Sequence, residues 1–294
     1  MGLQILEITA PVFLLGFVGW LWARLGAPYD IPFVTRLATQ LAMPCLIFST
    51  LARAEIEPAA LSEMALATLA LYGALAAVFA AGLRAAGLRL RTFLPPTVVN
   101  NTGNLGLPVA LYAFGDEGLA LSIVLFAIMV SLQFSLGLWF VAGRGRGWEA
   151  ARQPMVWAAL GGVATSVAGL RPPDVLDESI ALIGQLGIPL MLLTLGVSIS
   201  RIAVGGVARA AALSVIRAAV GVGLAMGVGW ALDLSGLVYA VLVLQAVMPA
   251  PVTNYLIALQ YDADPEDVAA LVVVSTLFSI LFIPLTLAFL APGV

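Results

Sequence analysis

Amide and hydroxyl side chains cluster with helix-breaking residues at two places in this sequence, and both places lie inside long apolar segments. The first stretch, residues 100–108, reads NNTGNLGLP, and the second, residues 245–254, reads QAVMPAPVTN. Each amide group offers two hydrogen-bond donors and an acceptor, which suits a carboxylate or a hydroxyl-bearing ligand. We predict that the two stretches bind a small molecule, with the candidate ligand-binding residues Asn100, Asn101, Asn104, Pro108, Gln245, Pro249, Pro251, Thr253 and Asn254.

The prolines in these stretches should break the helices that contain them. Proline lacks an N–H group, so the carbonyl four residues earlier loses its helical partner, as for Asn104 before Pro108 and Gln245 before Pro249. Each break would leave carbonyls that can hold cations or donor groups, and free N–H groups that favour an anion. Neither stretch contains an Arg, so a bound organic anion is expected to be held by dipoles and amides alone. The alternative is that the polar side chains only cap two helix kinks.

The composition indicates an integral membrane protein with no separate soluble domain. Of 294 residues, 62% are hydrophobic and only 10% are charged. Apolar segments of about 20 residues, long enough to span the hydrocarbon of a bilayer, recur along the whole chain. The lipid bilayer is therefore an expected partner.

The side chains present exclude several kinds of chemistry. All 13 cationic residues are Arg, and His is absent, which excludes His-based proton relays, Ser-His catalysis and His-ligated metals. Cys45 is the single cysteine and cannot form an internal disulfide or a thiolate metal site. Intramembrane proteolysis needs a His or two mid-membrane Asp residues, and neither is found. We predict no enzyme activity, no metal, no cofactor and no nucleic-acid partner.

Hydropathy predicts an all-α membrane protein with ten transmembrane helices. Boundaries come from Arg, from acidic residues and from Gly/Pro clusters. The predicted spans are residues 3–24, 32–53, 61–83, 93–114, 117–142, 154–170, 176–200, 208–231, 236–260 and 266–291.

The Arg positions predict the orientation. Most Arg residues lie in connections on one side of the membrane, and the connections on the opposite side hold only Arg53 and Arg171. The loop from Asp262 to Asp267 is the one exception, because it is acidic yet lies on the Arg-rich side. By the positive-inside rule the Arg-rich side is cytoplasmic, so both termini are expected on the outer side of the cell (inner) membrane. Arg217 lies just beyond the connection that follows span seven, inside span eight. The connections after spans one, three, five and seven hold Arg24, Arg36, Arg84, Arg89, Arg91, Arg144, Arg146, Arg152, Arg201 and Arg209.

The two halves of the chain resemble each other. Residues 40–44 read QLAMP and residues 185–189 read QLGIP, an offset of 145, while Asn104 and Asn254 lie 150 residues apart. Because each repeat contains an odd number of spans, five, the second copy must enter the membrane upside down. We predict two inverted five-helix repeats, residues 1–145 and 146–294, with helices 4 and 9 broken.

Polar side chains in the spans that follow each break form a second group of candidates. Hydroxyl groups in membrane helices commonly bond to their own backbone, so these residues are secondary candidates. They are Ser131, Gln133 and Ser135 in span five, and Ser275, Thr276 and Ser279 in span ten.

At these motifs the chain resembles the auxin efflux carrier family, which includes plant PIN proteins and bacterial malate and malonate permeases. The resemblance lies in residues 101–108 (NTGNLGLP), followed by 114–118 (FGDEG), and in residues 248–254 (MPAPVTN), followed by Tyr261 and 275–279 (STLFS). It covers the whole chain at the level of ten spans. The short connection from Arg144 to Pro154 replaces the long cytoplasmic loop of plant PINs, which makes auxin efflux itself doubtful.

The resemblance implies the inverted five-plus-five fold shared with bile acid:sodium symporters. In that fold a scaffold of helices 1, 2, 6 and 7 supports a mobile transport domain of helices 3–5 and 8–10, and the broken helices cross at the substrate site. Asn104 and Pro108 on span four, and Pro249, Pro251 and Asn254 on span nine, would lie at that crossing. Family members commonly form homodimers through the scaffold.

The expected function is secondary transport of small organic anions, such as malate-like, malonate-like or auxin-like carboxylates, by elevator-type alternating access. The nearest alternative is a sodium-coupled symporter of the bile acid type. A channel or a receptor that binds ligand without moving it stays open as a third possibility.

Overall fold

The structure, a computed structural model, describes residues 2–54, 57–137, 140–141, 152–170, 172–202 and 206–290. Within these ranges the chain is helical throughout, with turns and short connections and without a β-strand. The all-α prediction is therefore confirmed. Most of the predicted connection from Arg144 to Pro154 lies outside the described residues, as does Arg171.

The first half of the chain contains helices that are interrupted at two places. The second interruption leaves residues 99–101 outside any helix. A π-helical turn lies between α2 and α3, another precedes α6, and a third follows it, at Ala38–Ala42, Thr102–Gly106 and Gln133–Gly137. The α-helices are α1 (Gly2–Arg24), α2 (Ile31–Leu37), α3 (Met43–Arg53), α4 (Pro58–Ala85), α5 (Leu90–Val98) and α6 (Leu107–Leu132).

The second half is interrupted at comparable places. Residues 247–251 form no helix, and α8 and α9 are separated only by Gln185 and Leu186. The α-helices are α7 (Pro154–Val167), α8 (Asp174–Gly184), α9 (Gly187–Arg201), α10 (Val207–Ala231), α11 (Gly236–Ala246), α12 (Val252–Gln260) and α13 (Pro265–Leu290).

These helices overlap the predicted spans. The run from Leu90 to Gly137 turns at Gly115, whose backbone (φ 69°, ψ −160°) is not helical, and this is where the sequence predicts spans four and five to separate. Six helical stretches are long and apolar enough to cross a membrane, while Thr9–Arg24, Pro154–Val167 and Gly236–Ala246 are apolar but shorter. The arrangement of ten spans as two inverted repeats stays a prediction.

Close helix packing holds the α1 and α9 pair together. A Cβ added at Gly196 would overlap the carbonyl of Gly16, and one added at Gly19 would overlap that of Leu193, so both helices approach at backbone distance. Helix α3 packs in the same way on α7 and α8, and α10 packs on α11 and α13. The outer surface is apolar, as shown by Trp230 with 86% of its surface exposed, which fits a protein surrounded by lipid.

The discordant acidic loop lies beside cations of the Arg-rich connections. Arg89 pairs with Asp264 at 2.8 Å, and Arg209 pairs with Asp267 at 2.5 Å. The hydroxyl of Thr92 also donates to Asp264. The acids thus pair with Arg residues at the starts of α5 and α10, which explains their presence on the Arg-rich side.

Candidate functional site

The two predicted breaks lie directly against each other inside the bundle. The backbone N–H of Asn101 donates to the carbonyl of Pro249 at 2.7 Å. The side-chain Nδ2 of Asn100 donates to the carbonyl of Gln245, also at 2.7 Å. In return, Nε2 of Gln245 donates to the carbonyl of Gly106 at 3.0 Å. These three bonds satisfy backbone groups that the helix interruptions would otherwise leave without partners.

A cavity of about 270 Å³ lies at this meeting point. Its wall includes Asn100, Asn101 and Asn104 from the first break, and Pro251 and Thr253 from the second. The facing wall comes from other helices and includes Thr35, Thr39, Gln133, Met155, Thr194 and Ser198. None of the residues that the structure places on this wall is acidic or basic, so the cavity is lined by neutral polar and apolar groups.

Two buried amide groups at the cavity keep a free hydrogen-bond donor. Asn101 is 2% exposed, and its Oδ1 accepts a bond from the N–H of Asn104 at 3.3 Å, while its Nδ2 has no partner among the described residues. Asn254 is 4% exposed, its Oδ1 accepts from Gln133 Nε2 at 3.3 Å, and its Nδ2 is likewise unsatisfied within the described ranges. A buried donor without an acceptor is costly. An oxygen-bearing ligand in the cavity would satisfy the donor of Asn101, which lines the wall, whereas Asn254 lies next to the wall residue Gln133.

Four of the predicted ligand-binding residues do not line the cavity, namely Pro108, Gln245, Pro249 and Asn254. Gln245 is fully buried and donates to both the Gly106 carbonyl and Ser122 Oγ, each at 3.0 Å. Gln245 therefore joins the breaks in this structure rather than facing the cavity. Asn254 reaches the site through Gln133, which lines the wall.

The secondary candidates divide into two groups. Gln133 donates to Thr253 Oγ1 at 3.1 Å and to Asn254, and Ser275 Oγ accepts from the N–H of Ala250 at 3.1 Å. These two side chains therefore contact the second break. The other hydroxyls donate to carbonyls of their own helical run, as do those of Ser131, Ser135, Thr276 and Ser279.

Sequence reasoning missed Arg217, which lies near the middle of α10 and is only 2% exposed. Its Nε donates to the carbonyl of Pro96 at 3.2 Å. Its Nη2 donates to the carbonyl of Val99 at 3.3 Å and to Oδ1 of Asn100 at 2.5 Å. Its Nη1 donates to the carbonyl of Met248.

The expectation that dipoles and amides hold a bound anion stays a prediction, to which the structure adds a buried guanidinium bonded to Asn100 behind the cavity wall. Neither break contains an Arg in sequence, yet α10 brings the Arg217 guanidinium between them. The available signal was an ionisable residue inside an apolar span, which is a functional-site hypothesis by default.

The cavity extends from the breaks toward the Arg-rich helix ends. Thr194 on its wall is hydrogen-bonded to the Tyr29 hydroxyl at 2.8 Å, and the Tyr29 carbonyl accepts from Arg201 at 3.1 Å. Burial raises the pKa of Tyr29 more than the bond to Thr194 lowers it, so the hydroxyl stays neutral at pH 7. The connection between α1 and α2 is thus tied to α9 by neutral groups and one Arg.

Comparison with known proteins agrees with this architecture. The family model described as "membrane transport protein" matches residues 4–150 and 145–287, which together cover nearly the whole chain. The chain belongs to the membrane transport protein family. The resemblance inferred from the two motifs is confirmed, and the family consists of transporters and not of enzymes.

Similar proteins support this membership. An uncharacterized transporter of Methanothermobacter thermautotrophicus is 29% identical, covering 95% of this chain and 96% of its own. An uncharacterized transporter of Methanocaldococcus jannaschii is 28% identical over 64% of this chain and 65% of its own. A putative malonate transporter of Rhizobium meliloti is 25% identical over 94% of this chain and 93% of its own. This membrane transport protein is thus an integral membrane protein that acts on small molecules.

Proposed function

We propose that this membrane transport protein is a secondary transporter of small carboxylates, which bind in the cavity where the two breaks meet. The observation that carries the proposal is the buried Nδ2 donor of Asn101, which lines the cavity and lacks an acceptor in the described structure. A second unsatisfied donor, on Asn254, lies next to the wall residue Gln133. A carboxylate offers acceptor oxygens and no donor, so it complements these amides, whereas a cation does not.

The surrounding charges also favour an anion. Helix α12 begins at Val252, which lies on the cavity wall together with Thr253, and the first N–H groups of a helix have no helical acceptor. The Arg217 charge lies behind Asn100, to which it is hydrogen-bonded. The name of the Rhizobium meliloti relative, putative malonate transporter, supports a small carboxylate as the substrate class.

We further propose that the protein works by elevator-type alternating access. The bonds from Asn100 and Asn101 to the second break join the two breaks into one unit. Part of the facing wall comes from helices that the family resemblance assigns to the fixed scaffold, through Thr39, Met155 and Thr194. Movement of the joined unit along this wall would carry the bound carboxylate across the bilayer. The cavity reaches toward the Arg-rich ends, so this conformation would open to the cytoplasm if the positive-inside rule holds.

Three further assignments belong to the proposal. Residence in the cell (inner) membrane with both termini outside follows from the Arg distribution, and the division into repeats 1–145 and 146–294 follows from the similarity of the two halves. Assembly as a homodimer through helices 1, 2, 6 and 7 is implied by the family resemblance. Cross-linking in native membranes and cysteine accessibility at the two termini would test assembly and orientation.

The test of function is uptake into liposomes together with thermal unfolding in the presence of malonate, malate or indole-3-acetate. Wild-type protein is expected to move at least one of these anions and to be stabilised by it. Asn101→Ala and Asn254→Ala should each weaken binding by about 10–100-fold, because each removes one hydrogen bond to a charged group. Gln260→Ala is the matched control, since Gln260 is exposed at the end of α12.

Two results would overturn the proposal. If the wild-type protein neither binds nor transports any of these carboxylates, the proposed function is wrong. If both Asn variants bind the carboxylate with wild-type affinity, the proposed site is wrong. Stabilisation by carboxylates only in the presence of sodium would favour the bile acid type of symporter instead.

A further inference from the structure

The Arg217 guanidinium occupies a cage built from oxygen atoms of both breaks. Its acceptors are the carbonyls of Pro96, Val99 and Met248 and the side-chain oxygen of Asn100. Each of these atoms lies at or next to a helix interruption, where carbonyls have lost their helical donors. One side chain therefore binds the open ends of both broken helices.

None of these acceptors carries a charge. The ion pairs that the structure describes for other Arg residues use Asp177, Asp264 and Asp267. Arg217 instead donates only to neutral oxygens among the described residues. A buried charge is costly to keep without a counter-charge, so the structure maintains an uncompensated positive charge directly behind the cavity.

The same oxygens would suit a free cation. Rings of carbonyl oxygens replace the hydration shell of monovalent ions in membrane channels, and unwound backbone carbonyls hold coupling sodium ions in broken-helix transporters. In this chain the guanidinium fills that space and satisfies those carbonyls itself. A sodium ion could enter only if the Arg217 side chain left.

We infer that Arg217 is a positioning residue that acts as a permanent, built-in cation at the junction of the two breaks, in place of a mobile coupling cation. The inference rests on the proposed function and deepens it. The guanidinium fixes the relative position of the breaks, holds Asn100 on the cavity wall, and supplies the positive charge that a carboxylate neutralises on binding. Substrate binding by the wild-type protein consequently needs no sodium.

The first experiment needs no substrate. Thermal unfolding of wild type and of Arg217→Ala is measured in choline chloride, in sodium chloride and with low millimolar methylguanidinium chloride at equal ionic strength. We expect the variant to melt lower in choline and to be stabilised by methylguanidinium or sodium, which refill the vacated cage, while wild type is indifferent to the cation. Arg209→Gln, two turns earlier on α10 and exposed, is the matched control without cation dependence.

The second experiment separates charge from packing by measuring malonate-induced stabilisation and uptake. Arg217→Gln, which keeps hydrogen bonding and loses the charge, should weaken malonate binding about tenfold or more. Arg217→Lys should retain most of the affinity, and methylguanidinium should restore malonate binding to Arg217→Ala. If Arg217 only supported the fold, Arg217→Lys and Arg217→Gln would differ in melting temperature but not in malonate affinity.

Two outcomes overturn the inference. One is a wild-type protein that is stabilised by sodium over choline, which can be measured even if every Arg217 variant fails to fold. The other is a set of folded variants that bind malonate as wild type does or that ignore added cations. If malonate does not stabilise the wild-type protein but added cations stabilise Arg217→Ala, the proposed function is wrong and the cation role of Arg217 stands.

Discussion

The two breaks meet at one point but contribute different groups to the cavity and to the junction. The first, between α5 and α6, contributes side-chain amides, with Asn100, Asn101 and Asn104 all on the cavity wall. The second, between α11 and α12, contributes mainly backbone carbonyls, since those of Gln245 and Pro249 accept bonds from the first break. The exchange runs both ways, because Gln245 of the second break donates in return to the carbonyl of Gly106.

The groups left over from this pairing differ as well. Spare acceptors, such as the carbonyl of Met248, are taken by Arg217. Spare donors, on Asn101 and Asn254, find no acceptor in the described structure. Gln245 Oε1, a buried acceptor between the breaks, also has no partner among the described residues, but Gln245 does not line the cavity. The spare group on the cavity wall is the donor of Asn101, which an anion fits. The following predictions test this division of roles between structural and ligand-binding groups.

The largest effect is expected from Asn100→Leu, which removes one of the three hydrogen bonds between the breaks. The side chain of Asn100 donates to the Gln245 carbonyl and accepts from Arg217. Leucine would leave both groups without this partner, at a cost of about 1–3 kcal/mol for each. We expect a large fall in melting temperature without any ligand. Asn104→Leu should keep the wild-type melting temperature and lose its stabilisation by malonate. If Asn104→Leu lowered the melting temperature and Asn100→Leu only lost the stabilisation, Asn104 would be the structural residue and Asn100 the ligand-binding one.

Gly106→Ala should have the second-largest effect. A Cβ at residue 106 would overlap Oε1 of the fully buried Gln245, so the breaks would be pushed apart. Overpacking of this kind costs about 1–3 kcal/mol, and malonate uptake should fall with the stability. Gly223→Ala is the control, because nothing lies within 4 Å of a Cβ at that position. Equal melting temperatures for the two variants would argue against direct packing of the breaks.

Gln133→Leu should affect binding more than stability. Its Nε2 orients Thr253 and Asn254 through bonds of 3.1 and 3.3 Å. Loss of one such contact is worth about 1 kcal/mol, so malonate affinity should fall about fivefold. Ser131→Ala serves as control, since that hydroxyl donates to the carbonyl of Ala127 in its own helix. Unchanged affinity in Gln133→Leu would remove Gln133 from the site.

The smallest effect should come from Ser275→Ala. Its hydroxyl accepts from the N–H of Ala250 in the second break, and losing this acceptor should cost about 1 kcal/mol. Ser279→Ala should cost less, because Ser279 donates only to Thr276 in its own helix. Chemical denaturation of both variants in the same detergent provides the comparison, and a larger loss for Ser279→Ala would contradict it.

Much of the fold could be predicted because its signals are local. Arg and Pro/Gly clusters at helix ends placed the predicted segments close to the helices that form, and Pro249 and Pro251 mark a stretch that no helix could cross. The π-helical turn at Thr102–Gly106 was not predicted, since proline and glycine indicate an interruption but not its hydrogen-bond pattern.

The site was predicted less completely. Polar residue type identified Asn100, Asn101 and Asn104, but it does not distinguish a side chain on the cavity wall from one that joins two helices, as Gln245 does. Arg217 was placed inside span eight but not among the site candidates, because no local pattern shows that α10 brings it against both breaks.

By itself the sequence determined the apolar character of the chain, the two helix breaks and the polar groups beside them, because residue type and proline geometry act within a few residues. Only the tertiary structure decided which groups meet. Asn100 and Gln245 lie 145 positions apart, and Asn100 and Arg217 lie 117 apart. A contact between such distant residues depends on how helices pack, which no local pattern specifies.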